Sequence, residues 1–240
     1  MKFIVCKNYD EMSKKAAEIM IEVVKNNPKA TLGLATGSSP IGMYNYMAEA
    51  YKNGEVSFKE CKSFNLDEYY KISKDNDQSY YYFMNENLFS KIDVNADNVN
   101  FLDGNTDDPE AESARYADAI ASKGGIDVQL LGIGRNGHIA FNEPSDAFTG
   151  ESFKIALTQS TIDANSIYFD DIPMPRYAMT MGIGSIMKAK KIVLIATGAS
   201  KAEAVKGMIK GEVTPQLPAS ILQQHQDVVI FLDEAAASLL

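Results

Sequence analysis

Cysteine is scarce in this chain of 240 residues: it has two, Cys6 and Cys61, and they do not form a CxxC pair. Neither a disulfide framework nor a cysteine-based zinc site is therefore expected. The sequence also lacks long apolar runs, because the N-terminal run is too short for a signal peptide and no later run approaches the length of a membrane span. We expect a soluble cytoplasmic protein that has no membrane as a partner.

Blocks of basic residues are lacking as well. The 32 Asp and Glu residues outnumber the 23 Lys and Arg residues, the net charge is -9, and the charges are scattered along the chain. Nucleic acids and anionic membranes both select for concentrated Lys and Arg, so we expect neither as a partner. A phosphorylated small molecule is compatible with this acidity, because helix N-termini and one or two lysines bind phosphate locally.

Short apolar runs alternate with helical patterns along the chain, and no repeat or linker divides it. The runs that predict strands are Phe3–Cys6, Thr31–Ala35, Lys62–Leu66, Val99–Leu102, Ile126–Ile133, Tyr177–Met181, Lys191–Ala196 and Val228–Leu232. Seven or so strands alternating with helices predict an α/β fold with one doubly wound, mostly parallel sheet. We expect one domain that spans residues 1–240.

The stretch Leu130–Pro144 combines the end of an apolar run with closely spaced glycines. These are Gly132, Gly134 and Gly137. They permit positive φ and close approach of the backbone to a ligand. Histidine is the usual side chain for acid–base work at neutral pH, and Glu143 could fix the tautomer of His138 beside Asn136, so the pair is a candidate for acid–base catalysis. From these residues alone, an ordinary hydrogen-bonded loop histidine is the more common case.

A second glycine turn follows the predicted strand Thr31–Ala35. It consists of Thr36, Gly37, Ser38 and Ser39. Hydroxyls, a glycine and the donor end of the helix that begins at Pro40 are the parts of a phosphate site. The spacing is not that of a Walker loop, so nucleoside triphosphates are not implied. A tight turn in which Ser39 only caps the helix explains the pattern equally well.

Polar residues also follow two other predicted strands. Asp67 and Glu68 could supply a general base or could start a turn, and Thr197–Lys201 repeats the pattern of a strand, a glycine, a hydroxyl and a helix. On the pattern alone, Lys201 is more often a solvated residue than a ligand contact. His225 stands among polar residues and is expected to be exposed.

Two segments have ambiguous or purely structural patterns. Residues 145–175 lack a clear periodicity, which is typical of a lid over an active site or of a long loop. The Tyr-rich segment from Ser79 to Leu88 predicts a helix whose Tyr80 and Phe83 pack in the core rather than at a cofactor.

Three motifs together resemble the glucosamine-6-phosphate deaminase family. They are Leu34–Pro40 (LATGSSP), Phe64–Tyr69 (FNLDEY) and Gly132–Pro144 (GIGRNGHIAFNEP). Their order and spacing match the family, and the similarity covers essentially the whole chain. The resemblance implies a modified Rossmann-like fold of the sugar-phosphate isomerase type. It also implies conversion of glucosamine 6-phosphate and water to fructose 6-phosphate and ammonia, without a metal or an organic cofactor.

The resemblance assigns roles residue by residue. His138 matches the acid–base that opens the pyranose ring, and Glu143, beside Asn136, matches the group that orients and polarises it. Asp67 matches the carboxylate that moves a proton from C2 to C1 through an enolamine. The residues that match the phosphate and substrate contacts are Thr36, Gly37, Ser38, Ser39 and Lys201.

The chain departs from the family at two positions. Asn136 stands where many members have Asp, and an amide cannot act as a base although it still forms hydrogen bonds beside His138. Ile167 stands where the family usually has an Arg that contributes to phosphate binding. Arg176 is a possible substitute, and more of the phosphate binding is then expected from Lys201.

Regulation is expected to be simple. In the stretch Glu151–Ile155 the chain has apolar residues where hexameric relatives use basic residues to bind an activator, and it lacks their C-terminal extension. The resemblance therefore implies an unregulated enzyme that is a monomer or a small homo-oligomer.

Two other functions compete with this interpretation. A 6-phosphogluconolactonase shares the architecture and would use His138 to hydrolyse a lactone, but it has no need of Asp67 for a proton shuttle. A sugar-phosphate sensor that lost catalysis would lack one of Asp67, His138 or Glu143. It would also carry a DNA-binding segment, and no basic helix-turn-helix precedes residue 30.

Overall fold

The structure, a computed structural model, describes residues 1–169 and 172–240, without the side chains of residues 160, 164, 165 and 168. Its strands are β1 Lys2–Cys6, β2 Thr31–Leu34, β3 Lys62–Asn65, β4 Asp67–Tyr69, β5 Val99–Asn100, β6 Val128–Leu131, β7 Phe153–Ala156, β8 Tyr177–Thr180, β9 Lys191–Ala196 and β10 Val228–Asp233. Its α-helices are α1 Tyr9–Asn26, α2 Ile41–Lys52, α3 Tyr80–Asn87, α4 Pro109–Ser122, α5 Gln159–Asn165, α6 Ile183–Ile186 and α7 Ala202–Lys210.

Seven strands form a parallel sheet in the order β1-β10-β9-β6-β2-β3-β5. Leu32 of β2 pairs with Val128 of β6, and Leu130 of β6 pairs with Val193 of β9. Every residue of β2 and β6 is buried, as expected for strands of a parallel sheet that is covered on both faces. The predicted α/β class with a doubly wound parallel sheet is confirmed.

A second, antiparallel sheet of three strands has the order β4-β8-β7. The chain passes from β3 into β4 through Leu66, whose N–H donates to Leu34 O and whose carbonyl accepts from Met181 N. The small sheet therefore starts where β3 of the main sheet ends. The prediction that residues 177–181 belong to the main sheet is wrong. The strands β4 and β7 are too short to give a clear alternation pattern in the sequence.

Side-chain caps explain where several helices begin. Asn8 Oδ1 accepts from Glu11 N at the start of α1, and Asp108 Oδ1 accepts from Ala111 N at the start of α4. The expectation that Ser39 caps α2 is wrong, because that helix begins after Pro40 without a side-chain cap. The Ser39 hydroxyl thus has no hydrogen-bond partner within the described part of the chain, and it lies in the cavity described below.

The cysteines, His225 and the helices can also be compared with what the sequence predicts. Cys6 and Cys61 are both buried and free, consistent with the absence of a disulfide framework. His225 is buried rather than exposed, and its Nε2 lies 2.7 Å from Ala189 O. Among the helices that the structure describes, none is long and apolar enough to cross a membrane.

Candidate active site

A cavity of about 730 Å³ opens at the carboxyl ends of strands of the main sheet, where open α/β sheets bind ligands. Its volume suits a small molecule. It is lined by Ala35–Ile41, Leu66, Asp67, Tyr69, Asp77–Tyr80, Phe83, Gly132–Gly134, His138, Ala140, Phe141, Phe169 and Lys201. Three separate glycine loops and the start of the small sheet thus converge on one space.

The loop of Thr36, Gly37, Ser38 and Ser39 is held by two tyrosine hydroxyls. Tyr44 of α2 accepts from Ala35 N at 3.2 Å and donates to Ala35 O at 2.5 Å. Tyr9 of α1 donates to Ser38 O and accepts from Gly42 N. Gly37 has φ +110°, a conformation open mainly to glycine. The helices behind the loop therefore fix its backbone, while its own hydroxyls remain on the cavity side.

Lys201 follows the third glycine loop, at the end of β9. Gly198 has φ +88°, and its N–H donates to both carboxylate oxygens of Asp233, which also accepts from Thr197 Oγ1. Burial and the nearby charge of Arg135 lower the pKa of Lys201. Neither Lys201 nor Arg135 has a carboxylate partner among the described residues, so both cations are free to meet an anion.

The loop that presents His138 is closed by its own backbone. Gly134 N donates to His138 O at 2.8 Å, and Gly137 N donates to Gly134 O while Gly137 has φ +84°. His138 N donates to Asn136 Oδ1. These three hydrogen bonds fix the backbone that carries the imidazole at the cavity wall.

A carboxylate lies directly behind the imidazole. His138 Nδ1 is 2.9 Å from Glu143 Oε1, and Asn136 Nδ2 donates to Glu143 Oε2 at 2.5 Å. Burial raises the pKa of Glu143, but the contact with His138 and the hydrogen bond from Asn136 outweigh it and hold the pKa below its ordinary value. With Nδ1 next to the carboxylate, the other ring nitrogen is the one left for a ligand in the cavity that His138 lines.

The turn after His138 is strained and strongly braced. Ala140 has φ +50°, which is unusual for a residue with a Cβ. Asn142 Nδ2 donates to Ile139 O and Met181 O, and Phe141 N donates to Thr180 Oγ1. The asparagine of the NEP sequence therefore ties the His138 loop to the end of β8.

Asp67 is the first residue of β4, and its carboxylate lines the same cavity as His138. The side chain is buried and has no hydrogen bond within the described part of the chain. Burial, with a further contribution from the charge of Glu68, raises the pKa of Asp67 to about 8. A carboxylate of this kind is poised to take up a proton near neutral pH.

Four aromatic rings form a wall that the sequence did not predict: Tyr69, Tyr80, Phe141 and Phe169. Tyr80 stacks on Phe141 with an interplanar angle of 9°, and Tyr69 meets Phe169 edge to face. Tyr80 and Phe83 pack against the buried core as predicted, but both also line the cavity. Polar residues directly before this helix, Asp77–Ser79, were the sequence signal that could have revealed the wall.

The cavity brings together seven of the nine predicted site residues, and the other two, Asn136 and Glu143, stand behind His138. Ile167, with 69% of its surface exposed, and Arg176 are not part of the lining. Arg135 is also outside the lining, but its charge acts on Lys201; it was not predicted, because one charged residue inside a glycine loop has no distinctive pattern. No group of three or more potential metal ligands occurs within residues 1–169 and 172–240.

Comparison with known proteins gives a consistent result. A family model described as glucosamine-6-phosphate isomerases/6-phosphogluconolactonase matches residues 7–231. The glucosamine-6-phosphate deaminase of Thermoanaerobacter sp. (strain X514) is 51% identical over 241 residues, covering 100% of this chain and 95% of that protein. That of Clostridioides difficile (strain 630) is 50% identical over 243 residues, covering 100% of this chain and 97% of that protein.

Solved structures show the same relationship. A structure described as a monomeric glucosamine-6-phosphate deaminase has a TM-score of 0.96 and 42% identity, and the match covers 100% of both chains. The 6-phosphogluconolactonase from Trypanosoma cruzi has a TM-score of 0.80 and 21% identity, covering 100% of this chain and 96% of that one. At this low identity, the similarity to the 6-phosphogluconolactonase shows only that the two proteins share a fold.

Proposed function

We propose that this chain, which belongs to the family of glucosamine-6-phosphate isomerases and 6-phosphogluconolactonases, is a glucosamine-6-phosphate deaminase. It converts glucosamine 6-phosphate and water to fructose 6-phosphate and ammonia, and so hydrolyses a carbon–nitrogen bond. The observation that carries the proposal is that Asp67, a buried carboxylate without a hydrogen-bond partner in the described chain, lines the same cavity as His138.

The phosphate binds at the loop of Thr36, Gly37, Ser38 and Ser39 together with Lys201. Hydroxyls and backbone N–H groups at a loop before a helix suit a phosphate, and the free ammonium of Lys201 adds charge. Arg135 supplies a second cation beside Lys201, in place of the family Arg at position 167. Held at this end, the sugar presents its ring atoms to the two catalytic groups.

His138 opens the pyranose ring. One ring nitrogen faces the cavity, and it takes the proton of the anomeric hydroxyl and returns it to the ring oxygen. Glu143 holds the other nitrogen at 2.9 Å and stabilises the imidazolium that forms transiently. Asn136 keeps Glu143 in place by donating to its second oxygen.

Asp67 then moves one proton between neighbouring carbons. It removes the proton from C2 of the open aldehyde, which gives an enolamine, and returns a proton to C1, which leaves an imine at C2. Water adds to that imine, and ammonia leaves to give the ketone of fructose 6-phosphate. The raised pKa of Asp67 brings its basicity closer to that needed for a carbon acid.

Other features of the proposed enzyme follow from the same comparison and from the site. The segment 145–175 acts as a lid, since Phe169 reaches the cavity wall, although residues 170–171 lie outside the described structure. We propose a cytoplasmic monomer or small homo-oligomer of one domain, without an allosteric activator, a cofactor or a nucleic-acid partner. The solved monomeric relative supports the monomer.

The competing lactonase activity would need His138 but not Asp67. Both activities are tested in one experiment, which measures ammonia release from glucosamine 6-phosphate and hydrolysis of 6-phosphogluconolactone. We expect ammonia release that falls at least about 1,000-fold in Asp67→Asn, since a proton shuttle has no substitute there. Asp75→Asn, an exposed carboxylate outside the cavity, is the matched control and should retain full activity.

Each alternative result has a defined meaning. Lactone hydrolysis that survives Asp67→Asn, without ammonia release, would assign the chain to the lactonase side of the family. Binding of the sugar phosphate without either reaction would indicate a sensor.

A further inference from the structure

Glu68 follows Asp67 in β4, but its carboxylate is turned away from the cavity and only 5% of its surface is exposed. Its Oε1 accepts from Tyr69 N at 2.8 Å and from Tyr80 N at 2.9 Å, and its Oε2 accepts from Tyr81 N at 2.9 Å. Burial raises the pKa of Glu68, and the backbone N–H groups that use both of its oxygens oppose this effect by favouring the ionised carboxylate.

These bonds complete the first turn of α3. The first N–H groups of a helix have no partner within the helix, and they attract negative charge. Glu68 takes those of Tyr80 and Tyr81, while Ser79 Oγ accepts from Tyr82 N and Ser79 O accepts from Phe83 N. A residue of the small sheet thus holds a helix that is distant in sequence.

The fixed turn is one wall of the cavity. Asp77–Tyr80 line it, and the Tyr80 ring stacks on Phe141 of the His138 loop and packs 4.7 Å from the ring of Tyr69. The same backbone, one residue before Glu68, carries the carboxylate of Asp67. Movement of Glu68 would shift the wall and the base together.

We propose, building on the deaminase function above, that Glu68 is the positioning residue of this site: it fixes the Asp77–Tyr80 wall and adjusts the environment of Asp67 without touching the substrate. Its role differs from that of Asp67 although the two are neighbours. One carboxylate is saturated by backbone N–H groups, whereas the other is left without partners at the cavity surface.

The charge of Glu68 also acts on its neighbour. Burial is the main cause that raises the pKa of Asp67, and the negative charge of Glu68 adds to it. The other titratable groups around Asp67 are Tyr69, Tyr80 and Tyr116, whose pKa values burial raises so that they stay neutral, and His138, Lys201 and Asp77, which line the same cavity. Removal of the Glu68 charge should therefore lower the pKa of Asp67.

The test compares Glu68→Gln, Glu68→Asp and Glu112→Gln. Glu112 is a matched control, because it is a buried carboxylate that accepts from Asp103 N and Arg115 but lies outside the cavity. In Glu68→Gln we expect kcat to fall about 10- to 100-fold, since one acceptor is lost and the wall shifts. We also expect the acidic limb of the kcat/KM profile to move to lower pH, because Asp67 then ionises more readily.

In Glu68→Asp the side chain is one methylene shorter but keeps its carboxylate, so this variant separates the effect of position from the effect of charge. It keeps the charge but cannot reach the N–H groups of both Tyr80 and Tyr81, so kcat should fall while the acidic limb stays near that of the wild type. Glu112→Gln should change the melting temperature alone. If Glu68→Gln does not fold, a folded Glu68→Asp with wild-type kcat and KM overturns the proposal by itself.

A titration without substrate distinguishes this inference from the proposed function. The carboxyl carbon of Asp67 is followed by ¹³C NMR in the wild type and in Glu68→Gln, with Asp67→Asn to assign the signal. A lower midpoint in Glu68→Gln supports the proposal even if the wild type releases no ammonia, which would refute the deaminase function only. An unchanged midpoint, together with unchanged kinetics, overturns the proposal.

Discussion

The imidazole of His138 lies so close to Gly134 that a Cβ on Gly134 would stand 2.4 Å from His138 Nε2. A Cβ does not approach a non-bonded atom that closely, so the ring has to move if residue 134 has a side chain. The nearest atoms all belong to the imidazole, and this loop is braced by its own hydrogen bonds. The glycine is therefore part of how the acid–base is placed.

We predict that Gly134→Ala lowers kcat about 100-fold or more, because a displacement of about 1 Å at a catalytic group has effects of that size. Gly150→Ala is the control, since a Cβ there meets no atom within 4 Å, and it should leave kcat unchanged. Steady-state kinetics and thermal unfolding of both variants check this. Equal kcat values for the two variants would contradict the placement of the ring.

Asp67 should make the protein less stable as the pH rises. Its pKa is about 8 in the folded chain and about 3.8 when unfolded, so between these values the folded state binds more protons. The free energy of unfolding therefore falls with increasing pH across this window. We predict that Asp67→Asn, which abolishes activity, raises the free energy of unfolding at pH 8 by about 2–5 kcal/mol and has little effect at pH 4.

Urea unfolding of wild type and variant at the two pH values measures this difference. Asp75→Asn, whose carboxylate is exposed, should show no gain at either pH. The same gain for Asp67→Asn at pH 4 and pH 8 would mean that ionisation of Asp67 is not its cause.

Local sequence patterns were sufficient to predict the main sheet, whereas the family resemblance selected the residues that line the cavity. A buried parallel strand is a continuous apolar run, and the glycines that follow it at 37, 134 and 198 identify the turns at its carboxyl end. Because the carboxyl ends of parallel strands lie at one edge of a sheet, residues as distant as Thr36 and Lys201 could be expected at one cavity.

Features that depend on distant contacts were not predictable. The burial of His225 goes with a hydrogen bond in which its ring Nε2 donates to Ala189 O, 36 residues away, and no local pattern encodes that contact. Glu68 is a helix anchor only because β4 passes the start of α3. The antiparallel sheet depends on pairing of Asp67 with Thr180, and its strands are too short to show a period.

The Asn136 amide should matter for the charge of Glu143. The pKa of Glu143 is below its ordinary value, so its ionised form stabilises the fold above the unfolded-state pKa, and this contribution is lost as the pH falls through the folded-state pKa. Asn136→Asp replaces a donor with a second carboxylate against Glu143 Oε2. We predict a loss of about 1–2 kcal/mol at pH 7 that becomes smaller towards pH 4, as both carboxyls take up protons.

Asn136→Ala is the control for this variant, since it removes the hydrogen bond without adding a charge. Its loss of stability should be smaller at pH 7 and should change little with pH. The interpretation fails if the Asp variant is as stable as the Ala variant in urea at pH 7.

Phosphate binding should depend on Lys201 and the nearby charge of Arg135 rather than on Arg176. Lys201 lines the cavity, and the charge of Arg135 is close enough to contribute to its lowered pKa. We predict that Lys201→Ala raises KM most, and that Arg135→Ala raises KM about 10-fold, or about 1.4 kcal/mol, with kcat nearly unchanged. Arg176 does not contribute to the lowered pKa of Lys201, so Arg176→Ala should leave KM as it is.

The salt dependence of KM is a second measurement of the contributions of Lys201 and Arg135. Arg135 is exposed, so its contribution to binding should shrink between about 0.05 and 0.5 M NaCl, whereas the half-buried Lys201 should be screened less. The ratio of KM values for Arg135→Ala and wild type should therefore fall with salt, and that for Lys201→Ala should fall less. If Arg176→Ala raised KM while Arg135→Ala did not, the cation that replaces the family Arg would be Arg176, and the position of the phosphate in the cavity would have to be reassigned towards β8.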